Sequence, residues 1–387
     1  MKTPHKSSLL SAVACFMLLL QSCSSPQKIA RRYTNNDSTS IFSTHKSRPF
    51  KYGFAFNKTD ATDYYEQNLE AYHLRNGQTI ADVGAASGWH EGILSLMFDS
   101  MHFYVEDIDT NLLNRDQLNR VVKYYSGLRS TPQTNTFEMV LGDKKHSNLP
   151  DSIFDKVVVN STFHEMMNPW RMVSDIGHKL KPDGQLIISD DFSNSYMRRY
   201  VRGCGTLAFK YRDAIDIMEL YDFYLVDMTE PANSFQNILT FERNKEKAEE
   251  FSDRRQKVAP YIEELDKLYQ EDVATDSAKI KHIAMILKMN LQDIHGVYAT
   301  LENYLRELAM QWSEDEKPEA AKGVFTVGLE LYPHSAQLYQ YLSYVYADCH
   351  QFDKALIYYG YALDNKLKNA SVKDDILDAL DALSLLK

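Results

Sequence analysis

Apolar residues along this chain follow two successive rhythms, and the change from one to the other divides the sequence. Up to about residue 241, short apolar runs of strand length alternate with stretches of helical spacing. Ile80 to Val83 reads as a short buried strand, after which Ile93, Leu94 and Met97 recur at the helical interval. His102 to Val105 forms a second strand, and residues 136 to 142 and 153 to 159 supply a third and a fourth. A helix from Trp170 to Leu180 meets the turn Lys181-Pro182-Asp183-Gly184, and Gln185 to Ser189 gives the fifth strand. Phe223 to Asp227 and Ile238 to Phe241 close the series as a hairpin pair around Pro231-Ala232-Asn233. Strands alternating with helices predict an α/β fold, a doubly wound parallel sheet with helices on both faces.

Beyond residue 245 the strand-length runs stop and helical spacing persists. Leu305, Leu308, Ala309, Trp312, Ala321, Phe325, Gly328 and Pro333 align with Tyr339, Leu342, Ser343, Tyr346, Ala355, Tyr359, Ala362 and Leu367 at a constant offset of 34. That period resembles tetratricopeptide repeats. Residues 302–387 therefore read as two such units plus a capping helix over residues 370–387, and residues 246–301 as a helical connector that does not match the repeat. Stacked helical pairs present a concave groove to a protein or peptide. Bracing of the first domain, or a dimer contact, is the competing use. Tyr341, Tyr344, Tyr358 and Tyr361 are expected in packing or at the groove rim.

The chemistry concentrates where the first strand meets its helix, in Ala81-Asp82-Val83-Gly84-Ala85-Ala86-Ser87-Gly88-Trp89. Side chains in this turn are hydrogen, methyl or hydroxymethyl, so a ligand can approach the backbone and the N–H groups at the helix start. Glu106, Asp107 and Asp109 follow the second strand and place carboxylates at its carboxyl end, where a ribose diol is gripped in folds of this kind. Together with Leu141-Gly142-Asp143, Asn160-Ser161-Thr162-Phe163-His164-Glu165 and Leu180-Lys181-Pro182-Asp183-Gly184, these motifs resemble the class I S-adenosylmethionine-dependent methyltransferases over residues 51–245. Ala86 replaces the family's middle glycine, and Asp183 stands where glycine is more common.

The resemblance implies a Rossmann-like sheet with a terminal antiparallel hairpin strand, and S-adenosylmethionine as cofactor. It implies that Asp82 and the turn Gly84, Ala85, Ala86 and Gly88 seat the methionine portion, Asp107 the ribose, with Glu106 as the one-residue alternative, and Asp143 the adenine. Asn160 begins the segment that would line the methyl-transfer cleft. Within that segment His164 is the candidate general base, since its ordinary pKa lies near neutrality, and Glu165 could orient it. A hydrogen-bonded structural histidine and a helix-start glutamate are the competing readings. Asp190 and Asp191 could touch substrate, with solvation of a loop as the default; His90 and Glu91 read as helix-start residues, and Trp89 as packing beside the cofactor. The three-glycine spacing of a dinucleotide fingerprint is absent, which makes a nicotinamide-dependent oxidoreductase the weaker reading.

The amino terminus changes the setting. Lys2, His5 and Lys6 precede an uncharged apolar run from Leu9 to Leu20, too short to span a bilayer and suited to a signal-peptide core. It ends in Leu20-Gln21-Ser22-Cys23, which resembles a bacterial lipoprotein cleavage box, so residues 1–22 would leave and Cys23 would carry lipid. Residues 23–50 are polar and read as a flexible tether; Ser24 to Asp60 carry seven Lys or Arg against two Asp in a chain of formal net charge −10. The acidic remainder argues against nucleic-acid binding. Of the 4 cysteines, Cys204 and Cys349 remain after Cys15 and Cys23 are assigned, with neither a disulfide framework nor metal-ligand spacing. The expectation is a lipid-anchored, periplasm-facing protein of the bacterial cell envelope, either a methyltransferase of unknown acceptor or a noncatalytic binding module engaging a partner through its repeats. Cys23→Ser is expected to abolish lipid labelling and release the chain from membranes; membrane retention without label would point instead to an uncleaved signal or a protein partner.

Overall fold

The computed structural model describes residues 53–192, 201, 208–231, 236–244, 252–290 and 295–366. The signal, Cys23, the tether, Cys204 and the expected capping helix lie outside the described residues. The chain divides into two compact units: one runs to Gln256 and includes His295–Ala299, the other comprises Lys257–Ile294 and the residues from Thr300 onward.

The first unit is built on seven strands, β1 (Thr79–Val83), β2 (His102–Asp107), β3 (Thr136–Leu141), β4 (Phe154–Asn160), β5 (Leu180–Asp190), β6 (Phe223–Thr229) and β7 (Asn237–Arg243). Their order in the sheet is β3-β2-β1-β4-β5-β7-β6. The first five are parallel, and β7 runs antiparallel between β5 and β6. Ile80, Ala81, Val157, Val158, Val159, Leu186, Ile187 and Ile188 are all buried, because central parallel strands are covered on both faces. The order reverses beside β1, which pairs with β2 on one side and β4 on the other. A crevice therefore opens at the carboxyl ends of these strands, the place where open α/β sheets take ligands.

Two of the strand boundaries that differ from the expectation have a clear physical cause. β2 continues past Val105 through Glu106 and Asp107, since the carbonyl of Glu106 accepts the N–H groups of Gly84 and Ala85 and Asp107 pairs in register with Leu141. Lys181-Pro182-Asp183-Gly184 is part of β5, not a turn before it. The register shifts between Phe154 and Lys156, and a Cβ at Gly184 would lie 2.8 Å from the carbonyl oxygen of Phe154. The turn-forming sequence is absorbed as an irregularity in which glycine admits close backbone contact.

Around the sheet lie α1 (Lys58–Asn68), α2 (Trp89–Met97), α3 (Arg115–Ser126), α4 (Pro169–Lys179) and α5 (Tyr211–Glu219). Asn57 caps α1 by accepting the Asp60 N–H, and Asn114 caps α3 by accepting that of Gln117. Ile93 and Leu94 of α2 and Leu118, Val121 and Tyr125 of α3 share one core with Ile80, Phe103 and Val105. The segment before α1 is stapled onto this layer. Tyr125 donates to the carbonyl of Phe54 at 2.8 Å, Tyr124 to that of Phe56 at 3.1 Å, and Phe56 is buried. Phe54, Phe56, Tyr64 and Trp89 pack ring against ring above the start of α2.

The second unit is helical: the end of α6 (Ser252–Lys267), then α7 (Glu271–Ala274), α8 (Ser277–Met289), most of α9 (His295–Glu314), α10 (Pro318–Leu331), α11 (Ala336–Asp348) and α12 (Phe352–Lys366). α10 and α12 begin 34 residues apart, and Ala321 and Ala355, like Phe325 and Tyr359, are buried at matching positions. Gly323 lies against the carbonyl of Ala274, an approach that a Cβ would block. Tyr304 and Trp312 donate to the carbonyls of Leu265 and Leu268 and tie α9 to the end of α6. Tyr346 stacks on Tyr358 at 5.1 Å, with the Lys322 and Lys354 ammonium groups over its ring. Among the described residues no helix is long and apolar enough to cross a membrane.

Gly92 makes the join between α2, α3 and the preceding segment. A Cβ there would sit 2.3 Å from the ring of Tyr125. Gly92→Ala is expected to lower stability by about 1–3 kcal/mol through overpacking, outweighing the roughly 1 kcal/mol that alanine gains in a helix. A urea midpoint at or above that of the unsubstituted protein would show that Tyr125 is not wedged there.

Candidate active site

The turn from β1 to α2 is shaped first by the protein's own packing. Gly84 (φ +80°) and Gly88 (φ +77°) occupy the left-handed region, as does Ala86 (φ +51°), which accepts that conformation at some cost. A Cβ on Gly84 would lie 2.3 Å from Thr162, and one on Gly88 would lie 2.9 Å from Leu118. Ala85 and Ser87 are buried. The small side chains expected to leave room for a ligand thus also admit Thr162, whose hydroxyl donates to the carbonyl of Gly84, and the α3 packing layer.

The end of β2 holds this turn. Asp107 accepts the Ala86 N–H at 2.8 Å with one carboxylate oxygen and the Asp109 N–H at 2.8 Å with the other. Glu106 accepts the Gly84 N–H at 3.2 Å and presses its other oxygen toward Gly142, where a Cβ would be only 1.7 Å away. Glu106 is almost fully buried, and burial, with Asp107, Asp175 and Asp143 nearby, pushes its carboxyl up to about 8 against the opposing Gly84 N–H. Asp107 is also raised, mainly by burial, although the N–H groups of Asp109, Ala86 and Ile108 oppose the shift. A carboxylate has about four acceptor positions, so Asp107 can still accept a hydroxyl at the crevice. Asp143 is exposed and held by its own loop: it accepts the N–H groups of Lys145 and His146 and lies 3.5 Å from the His146 ring. These bonds hold its carboxyl below the usual range in spite of partial desolvation.

A second polar group forms where β4 and β5 end. Asn160 donates through its amide to the His90 ring at 2.9 Å, and His90 is hydrogen-bonded to the Tyr64 hydroxyl at 3.1 Å. Burial pulls the His90 imidazole down to about 3, so it is uncharged. His164 sits in a single helical turn after β4 and is buried. Its Nδ1 lies 2.6 Å from Asp190, and its backbone N–H donates to the same carboxylate at 3.0 Å. A carboxylate can only accept, which fixes the proton on Nδ1 and leaves Nε2 as the ring's basic nitrogen, 3.7 Å from Glu165.

Sequence and structure diverge most at the end of β5. Asp190 and Asp191 were read as possible substrate contacts with a solvated loop as the default; both are buried, and Asp190 orients His164. The readable signal was positional: Asp190 ends β5 one strand over from Asn160, and the register pairs Asn160 with Ser189. Glu165 is exposed and more than 3.5 Å from the imidazole, so the orienting role expected of it belongs to Asp190. Glu91, expected only to start a helix, is nearly inaccessible and faces Asp82. Trp89 packs against Phe54 and Tyr64, contacts that sequence reasoning did not foresee. Asp82, Gly84, Ala86, Asp107, Asn160 and His164 all gather at or next to the carboxyl edge of β1, β2 and β4.

This geometry coincides with a sequence match. Residues 81–188 fit the profile of the family described as methyltransferase domain. Solved structures similar to the chain include an S-adenosylmethionine-dependent methyltransferase from Aquifex aeolicus, 18% identical over 48% of this chain and 98% of that one, with a TM-score of 0.37. One from Methanosarcina mazei is 14% identical over 46% and 98%, with a TM-score of 0.36. A TehB-like enzyme of the same kind from Corynebacterium glutamicum is 14% identical over 57% and 98%, with a TM-score of 0.34. No curated protein sequence matches the chain significantly.

The carboxyl of Glu106 gives the first unit a distinctive pH response. An unfolded glutamate loses its proton in the ordinary carboxylate range, whereas the folded group keeps it to about 8. The folded state therefore binds the extra proton between these limits, and stability falls as pH rises through them. Glu106→Gln, which cannot ionise, is expected to lose about 2–4 kcal/mol less than the unsubstituted protein between about pH 5 and 8. Urea midpoints at the two pH values measure the difference.

Proposed function

We propose that this chain is an S-adenosylmethionine-dependent methyltransferase held at the bacterial cell envelope by lipid on Cys23, acting on an acceptor that must lose a proton. The observation that carries the reading is the convergence of the β1–α2 turn, Asp107 and the His164–Asp190 pair on one edge of the matched domain.

The residues fit such a donor. Asp107 offers carboxylate oxygens for a ribose diol, Gly84 and Ala86 are the partly exposed members of the turn, and exposed Asp143 stands beyond β3 for the adenine. When bound, the donor supplies a methyl group already activated on a sulfonium. The protein then has to align the acceptor and remove its proton. Asp190 fixes the proton on Nδ1 of His164 and would stabilise the imidazolium once Nε2 accepts a proton. Neither a metal nor a covalent protein nucleophile enters this scheme.

A second reading keeps the fold without catalysis and assigns binding of a protein or peptide partner to the helical repeats. It draws on the amino terminus, which directs the chain away from the cytosol where the donor is made. One set of measurements separates the two. The unsubstituted protein is expected to bind S-adenosylhomocysteine in calorimetry, and Asp107→Ala to weaken binding by about 1.5–3 kcal/mol. Labelled methyl groups should pass from S-adenosylmethionine to a component of a cell-envelope extract, about 10²- to 10⁴-fold more slowly with His164→Ala, with donor affinity little changed. No transfer by the unsubstituted protein, together with a stable partner held by the chain, would support the noncatalytic reading.

A further inference from the structure

Asp82, which the resemblance assigns to the methionine portion, forms a buried carboxyl pair with Glu91, a residue to which the proposed function gives no role. Asp82 lies in β1 two residues before Gly84, Glu91 in the first turn of α2, and the two are 3% and 2% exposed. Their carboxyls are close enough to hydrogen-bond each other. Two carboxyls can share such a bond only if one carries a proton. Asp82 Oδ1 and Glu91 Oε2 receive no hydrogen from any described donor. Among the described residues no lysine or arginine pairs with either group.

The neighbours do not supply a positive charge. Tyr64 of α1 and Tyr72 of the short turn that follows it face the pair, and both phenols are pushed up, chiefly by burial and secondarily by Asp82. From β2 come Glu106 and Asp107, two more acids. From α2 itself comes His90, which burial keeps uncharged. Burial first, then the partner carboxyl, raises Asp82 well above the usual range, and burial brings Glu91 to about 7. An acid pair in this setting is costly unless a cation arrives to replace the proton. The two carboxyls offer too few ligands for a hard divalent ion, which takes six or more oxygens. They suit a single ammonium.

We propose that Glu91 is a donor-recognition residue: with Asp82 it forms a pair that holds a proton in the ligand-free protein and releases it to solvent when the ammonium of the donor's methionine moiety arrives. This rests on the methyltransferase reading. It adds a residue outside the motifs on which that reading was built, and it makes donor binding proton-linked.

Calorimetry of the full chain in two buffers of different ionisation heat tests it, because the difference in heat counts protons. The probes are S-adenosylhomocysteine and adenosine, which lacks the methionine moiety. The expected result is release of about one proton with S-adenosylhomocysteine near pH 6 and none with adenosine. Affinity for S-adenosylhomocysteine should then rise about tenfold per pH unit below neutrality and level off above it. Glu91→Gln should remove both the proton release and the pH dependence while leaving adenosine affinity unchanged. Equal proton release with both probes, or release that survives in Glu91→Gln, would overturn the proposal. So would S-adenosylhomocysteine binding without proton release, which leaves the methyltransferase reading intact; failure of the unsubstituted protein to bind either probe would remove that reading as well. Should Glu91→Gln not fold, the comparison of the two probes on the unsubstituted protein decides.

Discussion

The grip of β2 on the β1–α2 turn is the interaction on which the rest of the first unit depends. Four N–H groups of a left-handed, glycine-containing turn lie outside any helix or strand of their own. Glu106 and Asp107 supply acceptors for Gly84, Ala85 and Ala86, and Ala85 itself accepts the N–H of Gly88. Unpaired backbone donors in a buried turn are costly, so this arrangement holds the turn against the sheet edge. It also sets where the neighbouring groups stand: Thr162 closes over Gly84, Leu118 seats against Gly88, and α2 begins with Glu91 above Asp82. Packing and ligand chemistry therefore make the same demand for small residues here, and neither alone accounts for the motif.

Much of this was legible in the chain, for identifiable reasons. The five parallel strands announced themselves because their residues are buried on both faces, which leaves unbroken apolar runs such as Val157-Val158-Val159. The end of the fourth strand, within one residue of Asn160, and the helix start after Gly88 followed from the same periodicity. Boundaries were harder where tertiary pairing overrode local preference. Lys181-Pro182-Asp183-Gly184 has turn composition, yet pairing of Leu180 with Phe154 draws it into β5. Of the site, the residues named by motif gathered at the edge, whereas Asp190 and Glu91 did not stand out. Their importance lies in partners 26 and nine positions away, through contacts that the spacing of residues in sequence does not encode.

The His164–Asp190 pair shows how the sheet converts strand register into chemistry. Asp190 is the last residue of β5 and His164 lies in the short turn that follows β4, so the imidazole is positioned by two adjacent parallel strands at once. Side chains mounted on regular elements hold their geometry better than those on loops. Thr162 links the same turn back to Gly84 on β1. Three consecutive strands of the sheet thereby set the relative placement of the turn, the base and its carboxylate.

The staple formed by Tyr124 and Tyr125 has a consequence for how the first unit folds. Phe54 and Phe56 reach their partners some 70 residues later, and β1 must wait for β4, about as far along, before it is paired on both sides. Contacts so distant in sequence close slowly, because the chain loses the entropy of the intervening loop before it gains the contact. During synthesis the opening segment and the central strand both emerge well ahead of the groups that cover them. Until α3 and β4 follow, Phe54, Phe56 and Ile80 stay open to water or to other chains, and the growing polypeptide is most exposed to mispairing over that interval.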